Sequence, residues 1–259
     1  MNAAVDRPGS ALRVCIVVPY FRHENAIAAL LARLRGYGVP CWLVDDGSGG
    51  KAATTAADLA AQQSDWLRLL VLPHNCGKGA AVRAGCVAAA AAGYTHAIQI
   101  DADGQHDPQD LPLLVSAAER NPAAVVTGVP RYDESIPRLR YYGRYLTHAL
   151  VWLYTWSFDL TDTMCGFRVY PLATALRIWE TRPVGERMDF DTEMLVRLYW
   201  AGVPVINVPT SVTYPADGVS HFRYFRDNLR MIWLHLRLLA AMPWHLQGRH
   251  GRVTRTMVR

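Results

Sequence analysis

From Arg13 to Pro19 the chain reads Arg-Val-Cys-Ile-Val-Val-Pro, an unbroken apolar and β-branched run. A strand that is apolar at every position is buried on both faces, as in a parallel sheet covered by helices. Pro19-Tyr20-Phe21 ends the run, and over 24–35 the period becomes helical, with Ile27, Leu30, Leu31 and Leu34 on one side. The alternation then repeats: a strand over 39–44, a helix over about 51–63, a strand over 67–72, and an alanine-rich helix ending at Ala92. Ile98-Gln-Ile100 ends another strand, followed by a helix over 109–120 and a strand over 124–129. Strands alternating with helices predict an α/β fold, a mostly parallel sheet flanked by helices.

The second half changes character. Residues 138–158 predict an aromatic helix on which Arg140, Arg144 and His148 share one face. Residues 162–170 read as a loop entering a strand, 188–194 open a helix, and 203–208 form a last buried strand. From Phe222 an amphipathic helix places Arg223, Arg226, Arg230 and Arg237 opposite Phe225, Leu229, Ile232, Trp233 and Leu236. Such a pattern suits an interfacial membrane helix, and equally a helix docked on its own domain. No uncharged apolar stretch of about 18 residues occurs, so no helix is expected to span a membrane. The expected organisation is a flexible N-terminus (1–12), one catalytic domain (13–215) and a basic helical tail (216–259).

Composition narrows the class. The 259 residues are 51% apolar and 19% charged, enough for a core that needs neither disulfide nor metal to fold. Five cysteines without a C-x-x-C pair, and an N-terminus without an apolar signal run, predict a reduced, cytoplasmic protein. The net charge of +5 permits nucleic acid, anionic lipid or phosphate partners. Two amphipathic segments favour a membrane surface and argue against nucleic acid.

The candidate chemistry lies in Asp101-Ala-Asp103-Gly-Gln105-His106. Residues i and i+2 of an extended chain point the same way, so Asp101 and Asp103 can reach one point at the strand's end. Two carboxylates and the Gln105 amide oxygen suit Mg²⁺ or Mn²⁺ bound to substrate phosphates; a solvated acidic turn is the other reading. Pro19, Asp45-Asp46 and the carboxylate pair all fall at the carboxyl ends of strands, where ligands of such sheets gather. His74-Asn-Cys-Gly77-Lys78-Gly79 is a glycine turn whose N–H groups could approach an anion, although it is not a P-loop.

Together, Val18-Pro19-Tyr20-Phe21, Asp45-Asp46-Gly47-Ser48, Asn75-Cys-Gly77-Lys78-Gly79, Asp101 to Pro108 and Asp162-Thr-Met-Cys-Gly166-Phe167-Arg168 resemble the family-2 glycosyltransferases of the GT-A fold. The likeness is strongest to the dolichyl- and polyprenyl-phosphate sugar synthases. The resemblance implies a metal-dependent, inverting transfer of a sugar from a UDP- or GDP-sugar to a lipid-phosphate acceptor, at the inner face of the cell membrane. It also implies roles. Pro19, Tyr20, Asp45, Asp46, Lys78 and Asp101 would hold the nucleotide, and Asp103, Gln105 and Asp101 the metal. Arg131, Arg144 and His148 would meet the acceptor, with Arg168 a further candidate at the reacting centre. A hydroxyl acceptor on a glycolipid or a lipid-like aromatic would instead need a general base, for which Asp191 and then Asp189 are the choices. Either carboxylate could equally cap its helix. A nucleotidyltransferase, or a module that only binds nucleotides, is the remaining alternative.

Overall fold

The computed structural model describes residues 12–132, 138–213 and 224–246. Seven strands form one sheet: β1 (Val14–Tyr20), β2 (Cys41–Asp45), β3 (Leu67–Val71), β4 (His96–Gln99), β5 (Val125–Tyr132), β6 (Arg168–Pro171) and β7 (Val205–Val212). Their order is β3-β2-β1-β4-β6-β5-β7. All pairings are parallel except those of β6, which runs antiparallel to both β4 and β5. The helices are α1 (Ile27–Arg35), α2 (Gly50–Gln62), α3 (Lys78–Ala91), α4 (Leu111–Arg120), α5 (Arg138–Thr155), α6 (Leu172–Thr181), α7 (Phe190–Trp200) and α8 (Tyr224–Leu246).

The two-sided strands divide the core as the pattern requires. Cys15 and Val17 face a layer built from α3, α6 and α7 with the buried sides of α5 and α8. Ile16 and Val18 face α1, α2 and α4. Gln99 pairs with Val17 and Ala97 with Cys15, so Gln99, and Asp101 two residues on, point toward α3 and α7. That single register decision selects the side of the sheet on which the carboxylates work.

Three features depart from the sequence expectation. Leu172, Ala175, Ile178 and Trp179 form a buried stripe on α6, a short helix that starts directly after β6. β5 and β7 run to Tyr132 and Val212, because each supplies the other's ladder along eight register pairs. α5 stops at Thr155, and Trp156 turns the chain with φ 52°.

The basic stripe expected on the C-terminal helix is partly turned inward. Leu234 and Leu238 of α8 are fully buried, and Arg237 ion-pairs with the buried Glu193 of α7. Arg230 is held by Asp227. Leu229, Ile232, Trp233 and Leu236 are exposed on the opposite side. The helix is thus docked on its own domain and still presents an apolar face. The expectations for 1–11, for the loop 214–223 and for 247–259, including Arg223, lie outside the described residues, as do the side chains of Arg140 and Phe225. Among the described residues no helix is long and apolar enough to cross a membrane.

Candidate active site

β1, β2 and β4 end side by side, and their carboxyl ends set the floor of the site. The floor is more buried than the motifs suggest. Tyr20 is 1% exposed and its hydroxyl donates to the Ala52 carbonyl at 2.9 Å. Asp45 Oδ1 accepts from the Ser48 N–H, closing the turn after β2. Asp46 accepts from Cys76 N–H at 2.7 Å and Gly77 N–H at 2.8 Å. Burial pushes the Asp46 carboxyl above the usual aspartate range, and these N–H donors oppose the shift. Tyr20, Asp45 and Asp46 therefore brace the turns after β1 and β2 from beneath. Above them Arg22, Glu24, Ser48 and residues 49–52 line an open pocket of about 320 Å³. Arg22 lies at φ 52° and bonds Ser48 through its backbone N–H and its Nε. No periodicity marks a residue at positive φ, which is why Arg22 escaped the sequence reading.

The glycine turn also differs from expectation. The N–H groups of Cys76 and Gly77 serve Asp46, and those of Gly79 and Ala80 serve the Glu186 carbonyl. The backbone at the start of α3 is thus used internally. Gly77 has φ 111°, and a Cβ there would stand 2.2 Å from the Glu186 oxygen. What this turn delivers to the site is Lys78. Its Nζ donates to Asp101 Oδ2 at 2.7 Å and Asp191 Oδ2 at 2.6 Å. Burial alone would lower the lysine pKa, but the two carboxylates outweigh it and hold the ammonium charged well above the usual range.

Asp101 itself is fixed from behind. A Cβ on Gly166 would lie 2.3 Å from Asp101 Oδ2, so only glycine admits the carboxylate. Asp103 Oδ1 accepts from the Gln105 N–H, and the next residues pair with β7 through Thr213 N to Gln105 O and Asp107 N to Ser211 O. Asp101 Oδ1 is buried without a hydrogen-bond partner, an acceptor that a cation would satisfy. Among the described residues no three His, Cys, Asp or Glu side chains converge on one ion. Two carboxylates, one amide and substrate oxygens fit Mg²⁺ or Mn²⁺, which is seldom caged by protein alone.

Around this point stand the remaining candidates. Arg144 binds Asp162 by two bonds, Nε at 2.5 Å and Nη2 at 2.8 Å, and His148 Nε2 lies 3.7 Å from the same carboxylate. Burial would raise the Asp162 pKa, yet the Arg144 guanidinium holds it far below the usual range. The Arg144 charge also reaches His106, whose pKa is lowered mainly by burial and which packs on Phe167. Arg131 is exposed near the end of β5, in register with Ser211, and so lies on the side where Gln105 to Asp107 join the sheet. Arg168 is placed differently from its expected role at the reacting centre. It is fully buried, donating to Thr127 Oγ1 and to the carbonyls of Asp191 and Thr163. Asp189 leans on Gly185 and accepts from Arg187 N–H, away from Lys78.

A parallel-rich sheet with paired carboxylates at its carboxyl edge is the arrangement of the GT-A glycosyltransferases. The model of Glycosyl transferase family 2 matches residues 15–175, and the chain belongs to that family. It is 30% identical over 262 residues to the dodecaprenyl-phosphate galacturonate synthase of Rhizobium johnstonii, covering 94% of this chain and 73% of the relative. It is 29% identical over 199 residues to the dolichyl-phosphate beta-glucosyltransferase of Dictyostelium discoideum, covering 73% of this chain and 59% of that protein. Among solved structures, a mannosyltransferase of Pyrobaculum calidifontis in complex with GDP-Man and Mn²⁺ superposes with TM-score 0.57 at 15% identity, covering 96% and 78% of the two chains. Glucosyl-3-phosphoglycerate synthase of Mycobacterium tuberculosis gives TM-score 0.62 at 17% identity, covering 92% and 85%. These two structures share the fold.

Proposed function

We propose that this enzyme moves a sugar from a UDP- or GDP-sugar onto a polyprenyl-phosphate-like lipid at the membrane surface, with inversion at the anomeric carbon. The observation that carries the reading is the make-up of α5. One helix bears Arg144, ion-paired with Asp162 of the 162–168 motif, and also the exposed apolar Leu146 and Leu153, with the exposed Trp156 one residue past its end. A cation held at the 162–168 loop is thereby joined to an exposed apolar surface. α8 packs against α5, with the Tyr154 hydroxyl 3.4 Å from His235 Nδ1, and exposes Leu229, Ile232, Trp233 and Leu236. Amphipathic helices of this kind lie in the interface plane. The dodecaprenyl and dolichyl phosphates in the relatives' names support the acceptor class.

Asp101, Asp103 and Gln105 would hold Mg²⁺ or Mn²⁺, which when bound neutralises charge on the departing nucleoside diphosphate. Lys78 adds a fixed positive charge beside Asp101. Arg144 and Arg131 would orient the acceptor phosphate, which arrives ionised and needs no general base. A peripheral site on the cytoplasmic face fits the free cysteines and the exposed helices. A hydroxyl acceptor with Asp191 as base is the second reading, favoured by the closeness of Asp191 to Asp101 across Lys78.

The test is transfer of labelled sugar, from a panel of UDP- and GDP-sugars, into a short-chain polyprenyl phosphate in detergent with Mn²⁺. The expected outcome is a lipid-linked product and released nucleoside diphosphate, both lost on adding EDTA or in Asp103→Ala. Release of pyrophosphate would point to a nucleotidyltransferase. Transfer to a polyprenol or glycolipid hydroxyl but not to the phosphate would establish the second reading.

A further inference from the structure

We propose that Asp191, with Gln99 and Tyr170 behind it, is a positioning residue that fixes the Lys78 ammonium where it meets the diphosphate of the sugar donor. The inference rests on reading this cleft as the donor site. Both oxygens of Asp191 are taken: Oδ2 accepts from Lys78 Nζ at 2.6 Å, and Oδ1 accepts from Gln99 Nε2 at 2.9 Å. The Gln99 amide is oriented in turn, because its Oε1 accepts from the Tyr170 hydroxyl at 3.1 Å. The main chain of Asp191 is held by Arg168, which donates to its carbonyl at 2.5 Å.

Every link behind the ammonium is buried, with Tyr170 and Gln99 at 0% exposure and Asp191 at 5%. A general base needs a lone pair aimed at the acceptor. Each oxygen of this carboxylate already accepts from the protein's own cation or amide, and its burial leaves little of it open to an acceptor. Lysine has a long stem with much rotamer freedom, so a fixed ammonium requires such anchoring. Asp101 cannot be the whole anchor, since it also faces the metal position with its unpartnered Oδ1. Asp101 would hold the cation through that oxygen, and Asp191 would remain the partner that keeps Lys78 in place. Gln99 and Tyr170 belong to none of the motifs in the sequence. β4 and β6 pair antiparallel there, with Gln99 opposite Arg168 and Ala97 opposite Tyr170.

The experiment is calorimetric titration of nucleoside diphosphates (UDP and GDP) and the matching monophosphates, with Mn²⁺. The proteins are wild type, Lys78→Met, Asp191→Asn, the double variant and Tyr170→Phe. Lys78→Met and Asp191→Asn are each expected to weaken diphosphate binding about tenfold and to leave monophosphate binding nearly unchanged. The double variant should also lose about tenfold, not a hundredfold, because the two residues act as one unit. Tyr170→Phe, one step removed, should lose roughly twofold to threefold. The double variant removes both members of the Lys78–Asp191 pair and leaves Asp101 as the one carboxylate without its cation, so it tests the idea even if one single variant unfolds. Asp191→Asn with wild-type diphosphate affinity and lost turnover would make Asp191 a base and overturn the proposal. Additive losses, or equal losses for the monophosphates, would overturn it too. Wild-type protein that binds neither diphosphate would instead bring down the donor-site reading itself, before any variant is compared.

Discussion

Gly166 carries a constraint as tight as any charged residue in the site. A methyl group there would occupy the space of the Asp101 carboxylate, 2.3 Å from its Oδ2. Gly166→Ala should fold, since the residue lies in a loop, but displace Asp101 by the better part of an ångström. A displacement of that size at a reacting centre costs about a hundredfold in turnover. Initial rates beside a thermal melt would check this: lost rate with an unchanged melting temperature is the expected pair. Asp162 offers a second prediction at this scale. Its folded-state pKa is depressed by Arg144, so its ion pair contributes stability in full above the unfolded aspartate value of about 3.9. That contribution drains away as the pH falls below this value toward the folded-state one. The gap in melting temperature between wild type and Asp162→Asn should therefore be constant from pH 7 to about 5 and shrink below pH 4.

At the scale of elements, α7 and α8 are joined by a buried charge. Glu193 is 0% exposed, pairs with Arg197 and Arg237, and accepts the Gly185 N–H. Breaking a buried ion pair from one side costs about 3 kcal/mol or more. Glu193→Ala should lower stability by that amount in urea unfolding, and should free α8 to proteolysis ahead of the sheet. The outer face of the same helix has a different dependence. Ile232→Ser with Trp233→Ser removes exposed apolar area and leaves Leu234 and Leu238 buried. Co-sedimentation with anionic liposomes should fall at least tenfold while the melting temperature holds. Undiminished sedimentation would assign the membrane surface elsewhere.

For the molecule as a whole, one sheet register sets the division of labour. Placing Gln99 opposite Val17 turns Gln99 and Asp101 toward α3 and α7, where Lys78 and Asp191 wait. The turns after β1 and β2 are braced from beneath by Tyr20 and Asp46, and the helices with exposed apolar residues stand at the second half of the chain. The buried turns of β1 and β2 and the exposed apolar helices thus come from different halves of the sequence, and α5 and α7 carry residues that connect them. An α/β unit with a core on both sides of its sheet readily supports such a site at one edge.

Much of this was present in the order of residues. The apolar runs at 13–19 and 39–44 predict two-sided strands because burial on both faces leaves no polar position. The Asp101 and Asp103 spacing predicts a shared ligand point because alternate residues of a strand face the same way. What the sequence could not show depends on distance in space rather than along the chain. The antiparallel insertion of β6 decides that Tyr170 and Arg168 lie behind Asp191, 21 and 23 residues away in sequence. Burial decides that Asp46 serves the 76–77 backbone, that Arg168 is a structural cation, and that Arg237 faces Glu193 instead of solvent. Sequence alone determined the elements and the residue types at the sheet's edge. Only the tertiary structure decided which of those charged groups are spent on one another and which stay exposed, because a buried charge takes the nearest partner that folding supplies.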